Sequence, residues 1–127
     1  MARTWRALLV LLIVAVSYLA LTPHPPAGVD TGWDKLNHMS AFTALALCAH
    51  LGYPASRRAR GVLLGALLAY GGLIEALQSF VPGRSAEWGD LLADAVGIAS
   101  GAALAAVVLC VAGQGNGCQS RNELPMT

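Results

Sequence analysis

The sequence predicts an all-α fold, an integral membrane bundle of four transmembrane helices. Hydrophobic residues make up 56% of the 127-residue chain and charged residues only 12%, about half the charged share of an ordinary soluble domain. The apolar residues fall into four long runs, with the prolines and most of the charges outside them. A net charge of +1, without a basic stripe carrying interleaved aromatics, argues against nucleic acid as a partner. The partner this composition demands is the lipid bilayer.

The first predicted helix covers about 5–21 and carries no charge between Arg6 and Leu21. It ends at Thr22-Pro23-His24-Pro25-Pro26, where successive prolines remove donors and forbid continuation. A signal peptide has a similar pattern, but no clean small-x-small site precedes Thr22-Pro23, so the run is read as a helix of the bundle. The second helix, about 35–53, is closed by Pro54, and a loop Ser56-Arg57-Arg58-Ala59-Arg60 follows. The third, about 62–81, is broken by Pro82-Gly83. The fourth, about 90–112, completes a single membrane domain over 1–112, and the polar tail 113–127 is expected to be disordered.

Lys and Arg counts set the expected orientation. With a cytoplasmic N-terminus, Arg3, Arg6, Arg57, Arg58, Arg60 and Arg121 lie inside, against Lys35 and Arg84 outside. The expectation is therefore a multi-pass protein of the inner (cytoplasmic) membrane with both termini cytoplasmic. Cys48, Cys110 and Cys118 then fall toward the reducing side, and their odd number and irregular spacing argue against a disulfide framework.

Polar residues gather at the opposite, outer end. Asp34 and His38 share a helix face, as do Glu75 and Gln78, and Asp90 and Asp94. Lys35 and Arg84 add two cations. Gly97-x-x-x-Gly101, Gly61-x-x-x-Gly65 and Gly71-Gly72 offer small faces for close helix approach. Simpler structural roles exist for several groups: Asp34 and Asp90 as helix N-caps, Lys35 as an interfacial anchor, and Arg84 as a loop charge paired with Glu87. Trp5, Trp33 and Trp88 fit an aromatic belt, and His24 and His50 are incidental. Glu75 and Asp94 resist such readings, because each lies inside an apolar run where a carboxyl needs a partner or a proton.

Asp34-Lys35-x-x-His38-x-x-x-Phe42, Glu75-x-x-Gln78, Pro82-Gly83-Arg84-Ser85, Asp90 and Gly97-x-x-x-Gly101 together resemble the VanZ-like membrane proteins, over roughly 33–101. The resemblance implies a bundle of about four membrane helices, with Asp34, Lys35, His38, Glu75, Gln78, Arg84 and Asp90 as its characteristic polar residues. It departs at Asp94, where such proteins often carry Asn. The family is named for an accessory protein of teicoplanin resistance, which implies a role in the cell envelope or the glycopeptide response.

Three functional expectations follow. In the first, the site acts at the outer interface on a phosphate-bearing envelope lipid or a glycopeptide-related ligand. Glu75 and His38 are then the acid/base pair, and Asp34, Lys35, Gln78, Arg84, Asp90 and Asp94 bind the substrate. In the second, the cluster serves a non-enzymatic binding or transport-like module. In the third, its buried ion-pair network only fixes helix packing in a structural subunit. The sequence does not decide whether the chain is an enzyme. No cofactor is expected, and a metal held by His38, Asp34, Glu75 and Asp94 is not favoured, because one histidine without ligand spacing is a weak signal. The oligomeric state is not legible.

Overall fold

The computed structural model describes residues 1–24, 33–53 and 56–119, with side chains described as far as Gly113. The described residues form four helices: α1 (Ala2–Leu21), α2 (Asp34–Gly52), α3 (Arg57–Gln78) and α4 (Trp88–Gln119). The fold is all-helical, and α1, α3 and the Trp88–Gly113 part of α4 are each long and apolar enough to cross a membrane. The fourth helix, α2, falls short on composition, because Asp34, Lys35, Asn37, His38 and His50 interrupt its apolar residues. It packs against all three other helices, as α3 also does, and most extensively against α4. His38 and His50 are buried rather than exposed on its outer face, and His50 Nδ1–H donates to its own helix at Ala46 O, 3.0 Å away.

The closest approach is between α2 and α4, and glycine makes it possible. A Cβ on Gly97 would run into Met39 O, and one on Gly101 into Thr43 O. Backbone therefore sits directly on backbone, as small residues permit in membrane helix pairs. Phe42 and Ala46 of α2 meet Gly97 and Gly101 in this seam, and Leu45 and Ala49 of α2 and Ile98 and Ala105 of α4 are buried as well. The pairing expected from Gly97-x-x-x-Gly101 is present. The Gly61-x-x-x-Gly65 face is different: nothing lies within 4 Å of a Cβ built at Gly61, Gly65 or Gly72. Only Gly71 of that group faces the interior, against Asp94 and Phe42.

Polar contacts hold α1 on α2 and α3. Arg6 Nε donates to Gly52 O at 2.7 Å, and the Arg6 guanidinium lies 4.6 Å from the Tyr53 ring centre. Ser17 Oγ and Tyr70 Oη share a 2.8 Å hydrogen bond, and Tyr70 also donates to Ile13 O. The arginine-bearing end of α1 thus meets the C-terminal end of α2, while the polar cluster forms at the other end of the bundle.

Element boundaries differ from the sequence expectation in three places. Ser56 Oγ accepts a hydrogen bond from Ala59 N–H at 3.3 Å, so Arg57, Arg58 and Arg60 stand in the capped first turn of α3 instead of a loop. The third helix ends at Gln78 rather than 81, and a tight turn follows in which Gly83 adopts φ 79°, a conformation that favours glycine. Helix α4 continues past 112 to Gln119, into the segment expected to be disordered. Residues 25–32, 54–55 and 120–127, with Pro54 and Arg121, lie outside the described residues, as does the side chain of Cys118.

Candidate functional site

The site is built where the N-terminal turns of α2 and α4 meet the C-terminal turns of α1 and α3. Its centre is His38, in the second turn of α2. The His38 Nδ1–H donates to Asp94 Oδ1 at 2.9 Å. Asp94 lies one turn after Asp90 on the α4 face that Gly97 and Gly101 press against α2, so its carboxyl is wholly buried. The absent side chain of Gly71 makes room for it, since a Cβ there would overlap Asp94 Oδ2. On the other side of the ring, His38 Nε2 is 3.6 Å from Glu75 Oε1. Glu75 Oε2 accepts a hydrogen bond from Glu87 N–H at 3.1 Å, which ties the end of α3 to the residue before α4. The order Asp94, His38, Glu75 joins three helices through one imidazole.

A second layer lies nearer the end of the bundle. Lys35 Nζ donates to Glu87 Oε2 at 2.7 Å and sits 3.5 Å from Asp90 Oδ1. Gly89 leaves space for the Lys35 stem, because a Cβ there would overlap Lys35 Cε. This hydrogen bond and the ammonium charge hold the Glu87 carboxyl below the usual carboxylate range. Asp90 is buried, and neither of its carboxyl oxygens has a hydrogen-bond partner among the described residues. Glu75 Oε1, Gln78 Oε1 and Asp94 Oδ2 are buried and unpartnered in the same sense.

The Pro82-Gly83 turn swings Arg84 back over the end of α1. Its Nε donates to Thr22 O and its Nη2 to Leu19 O, at 3.3 and 2.7 Å, and Gln78 Nε2 donates to Ala20 O at 3.0 Å. The last carbonyls of a helix have no partner within it and carry partial negative charge, so a guanidinium and an amide are suited to satisfy them. Arg84 Nη1 also lies 3.9 Å from Asp34 Oδ1.

Between these groups is a cavity of about 110 Å³. Asp34, Asn37, His38, Gln78 and Arg84 line its polar part, and Val16, Leu19, Phe42 and Ile74 are among its apolar walls. Three structural expectations from the sequence are corrected here. Arg84 is held by α1 carbonyls and not by Glu87, which belongs to Lys35. Asp34 opens α2 as its first residue, and no side-chain cap hydrogen bond is present at that end. Asp90 has no hydrogen-bond partner, so it does not cap α4 either. Asp94, the position where the sequence departs from the resemblance, makes the shortest contact to His38. Asn37 and the α1 wall were not among the residues singled out from the sequence. A polar Asn beside His38 was a visible signal, whereas nothing in an apolar run tells which of its residues line a cavity.

The polar positions brought together are Asp34, Lys35, His38, Glu75, Gln78, Arg84, Asp90 and Asp94. Asp34, His38 and Asp90 each place one ligand atom within 4.8 Å of the others, a grouping that also suits a cation. No curated protein and no solved structure matches the chain. A protein-family model described as VanZ/LLP1 matches residues 6–109, which takes in α1 from Arg6 onward and every residue of the polar site, and the chain belongs to that VanZ-like family of membrane proteins.

Proposed function

We propose that the protein binds the phosphate-bearing headgroup of an envelope lipid at the outer face of the inner membrane, and acts there in the cell-envelope or glycopeptide (teicoplanin) response. The observation that carries this reading is the cavity, which sets Arg84, His38 and Gln78 beside Leu19, Phe42 and Ile74. An amphiphile with an anionic head and a long apolar tail matches a polar chamber with apolar walls at membrane depth. Arg84 supplies a planar charged donor of the kind that recognises phosphate, and Gln78 supplies an amide. Glu75 and His38 stand together where proton exchange with a bound headgroup would be carried, and Asp94 orients the ring.

In this reading α2 is the fourth span, shielded by its neighbours, which accounts for its more polar composition. The separation of Arg6, Arg57, Arg58 and Arg60 from the acidic end supports cytoplasmic termini by the positive-inside rule. A structural reading has one observation in its favour: Arg84 and Gln78 spend donors on α1 carbonyls.

The two readings separate in cells expressing wild type or Glu75→Gln. The substitution keeps the side-chain shape and an acceptor for Glu87 N–H. A functional site gives a variant as abundant in the membrane as wild type that no longer changes glycopeptide susceptibility. A network that only fixes packing gives a variant that loses abundance, because removing one partner strands other buried charge.

A further inference from the structure

The acidic end of the bundle is out of electrostatic balance. Five carboxyl groups, those of Asp34, Glu75, Glu87, Asp90 and Asp94, face two fixed cations, Lys35 and Arg84, and one imidazole. Glu87 already engages Lys35 at 2.7 Å, and Arg84 is no closer than 3.9 Å to Asp34. Asp90 is left with 1% of its surface exposed and both oxygens without a hydrogen-bond partner. The Lys35 ammonium, 3.5 Å away, is beyond the usual length of a charge-assisted hydrogen bond. A buried carboxylate so placed is costly unless a cation coordinates it or the group takes up a proton.

We infer that Asp34, His38 and Asp90 form a binding site for a divalent cation of the zinc or manganese class. One ligand atom from each lies within 4.8 Å of the others, and the unpartnered, buried Asp90 is aimed into the group. Asp94 takes the Nδ1–H of His38, which leaves Nε2 as the nitrogen with a bare lone pair. A carboxylate that fixes the far nitrogen in this way is the recurring support of a metal-bound histidine. One imidazole among carboxylates selects a metal that accepts nitrogen as well as oxygen, rather than magnesium or calcium.

The cation also bears on the lipid reading. An anionic headgroup entering beside this many carboxylates is repelled, and a bound dication removes that obstacle and adds a phosphate ligand of its own. His38 then acts as a ligand, and Glu75 keeps the proton exchange. Cation binding itself does not depend on any lipid, so the two readings fail separately.

The test uses the full chain, purified in detergent, stripped with a chelator and dialysed. Zn²⁺, Mn²⁺, Mg²⁺ and Ca²⁺ are each titrated in by calorimetry, and metal content per chain is measured after desalting. The expected result is one equivalent bound by wild type. Asp34→Asn and Asp90→Asn weaken binding by more than the ~10–100-fold that loss of an orienting partner costs, and Asp94→Asn falls within that range. Asp34 is half exposed, so its variant keeps the fold even where Asp90→Asn does not. The inference is overturned if a folded wild type binds neither ion stoichiometrically. It is equally overturned if Asp34→Asn with native helical content binds as tightly as wild type, or if only Mg²⁺ or Ca²⁺ binds.

Discussion

At the scale of single residues, the charged groups at the acidic end differ in whether a partner holds them, and exposure decides how much a partnership matters. Lys35 and Glu87 are both about half exposed, so their 2.7 Å contact is screened by water and salt. The Glu87 carboxyl is nonetheless held below its usual range by the Lys35 hydrogen bond. A depressed carboxyl adds stability above its unfolded pKa, about 4.3, and that contribution is lost as pH falls through the lower folded value. Wild type is therefore expected to be slightly more stable than Glu87→Gln at pH 7. The difference should close in acid and shrink in high salt, read from unfolding midpoints in detergent; a gap that widens on acidification would contradict the assignment. The sequence showed which residue types cluster here, since charges inside apolar runs stand out. It did not show the pairing, because Arg84 and Lys35 are equally plausible partners for Glu87 until the Pro82-Gly83 turn aims Arg84 at α1.

At the scale of elements, glycine position decides which helices touch. Gly97 and Gly101 bring α4 onto the backbone of α2, where Met39 O and Thr43 O would meet any added Cβ. Gly61 and Gly65 have open space around them. Gly101→Ala is expected to lower stability by about 1–3 kcal/mol, because overpacking at a backbone contact has no side chain that can give way. Gly61→Ala and Gly65→Ala are expected to be neutral or stabilising by up to about 1 kcal/mol, from helix propensity alone. Denaturant unfolding of the three variants in detergent checks both statements, and equal losses at all three positions would contradict them. Spacing made the two Gly-x-x-x-Gly pairs look alike in the sequence. What separates them is that Asp94 and Gly97 share a face on α4, so the charge and the small residues need the same neighbour. Helix ends were less legible, because Ser56 reads equally as loop or N-cap until its hydroxyl meets Ala59 N–H.

At the scale of the whole molecule, the bundle sorts its polarity lengthwise. Arg6 stands at the end where α1 meets Gly52 and Tyr53, and the cavity, Asp94 and Arg84 stand at the other. The all-helical fold and the membrane character were readable from four apolar runs. Whether α2 crosses the membrane was not, because a helix whose polar face turns inward cannot be told by composition from one that stays at the interface. The cavity was equally hidden, being formed by facing walls on three helices. The measurement that tests the account most directly is the binding of a polyprenyl phosphate to the purified protein in nanodiscs, comparing wild type with Ala41→Leu. Ala41 lines the cavity and bears no charge, so the longer side chain fills the space and leaves the polar groups in place. The account expects saturable, phosphate-dependent binding by wild type and its loss in an equally stable Ala41→Leu. Binding that is absent from folded wild type, or unchanged when the cavity is filled, would contradict it.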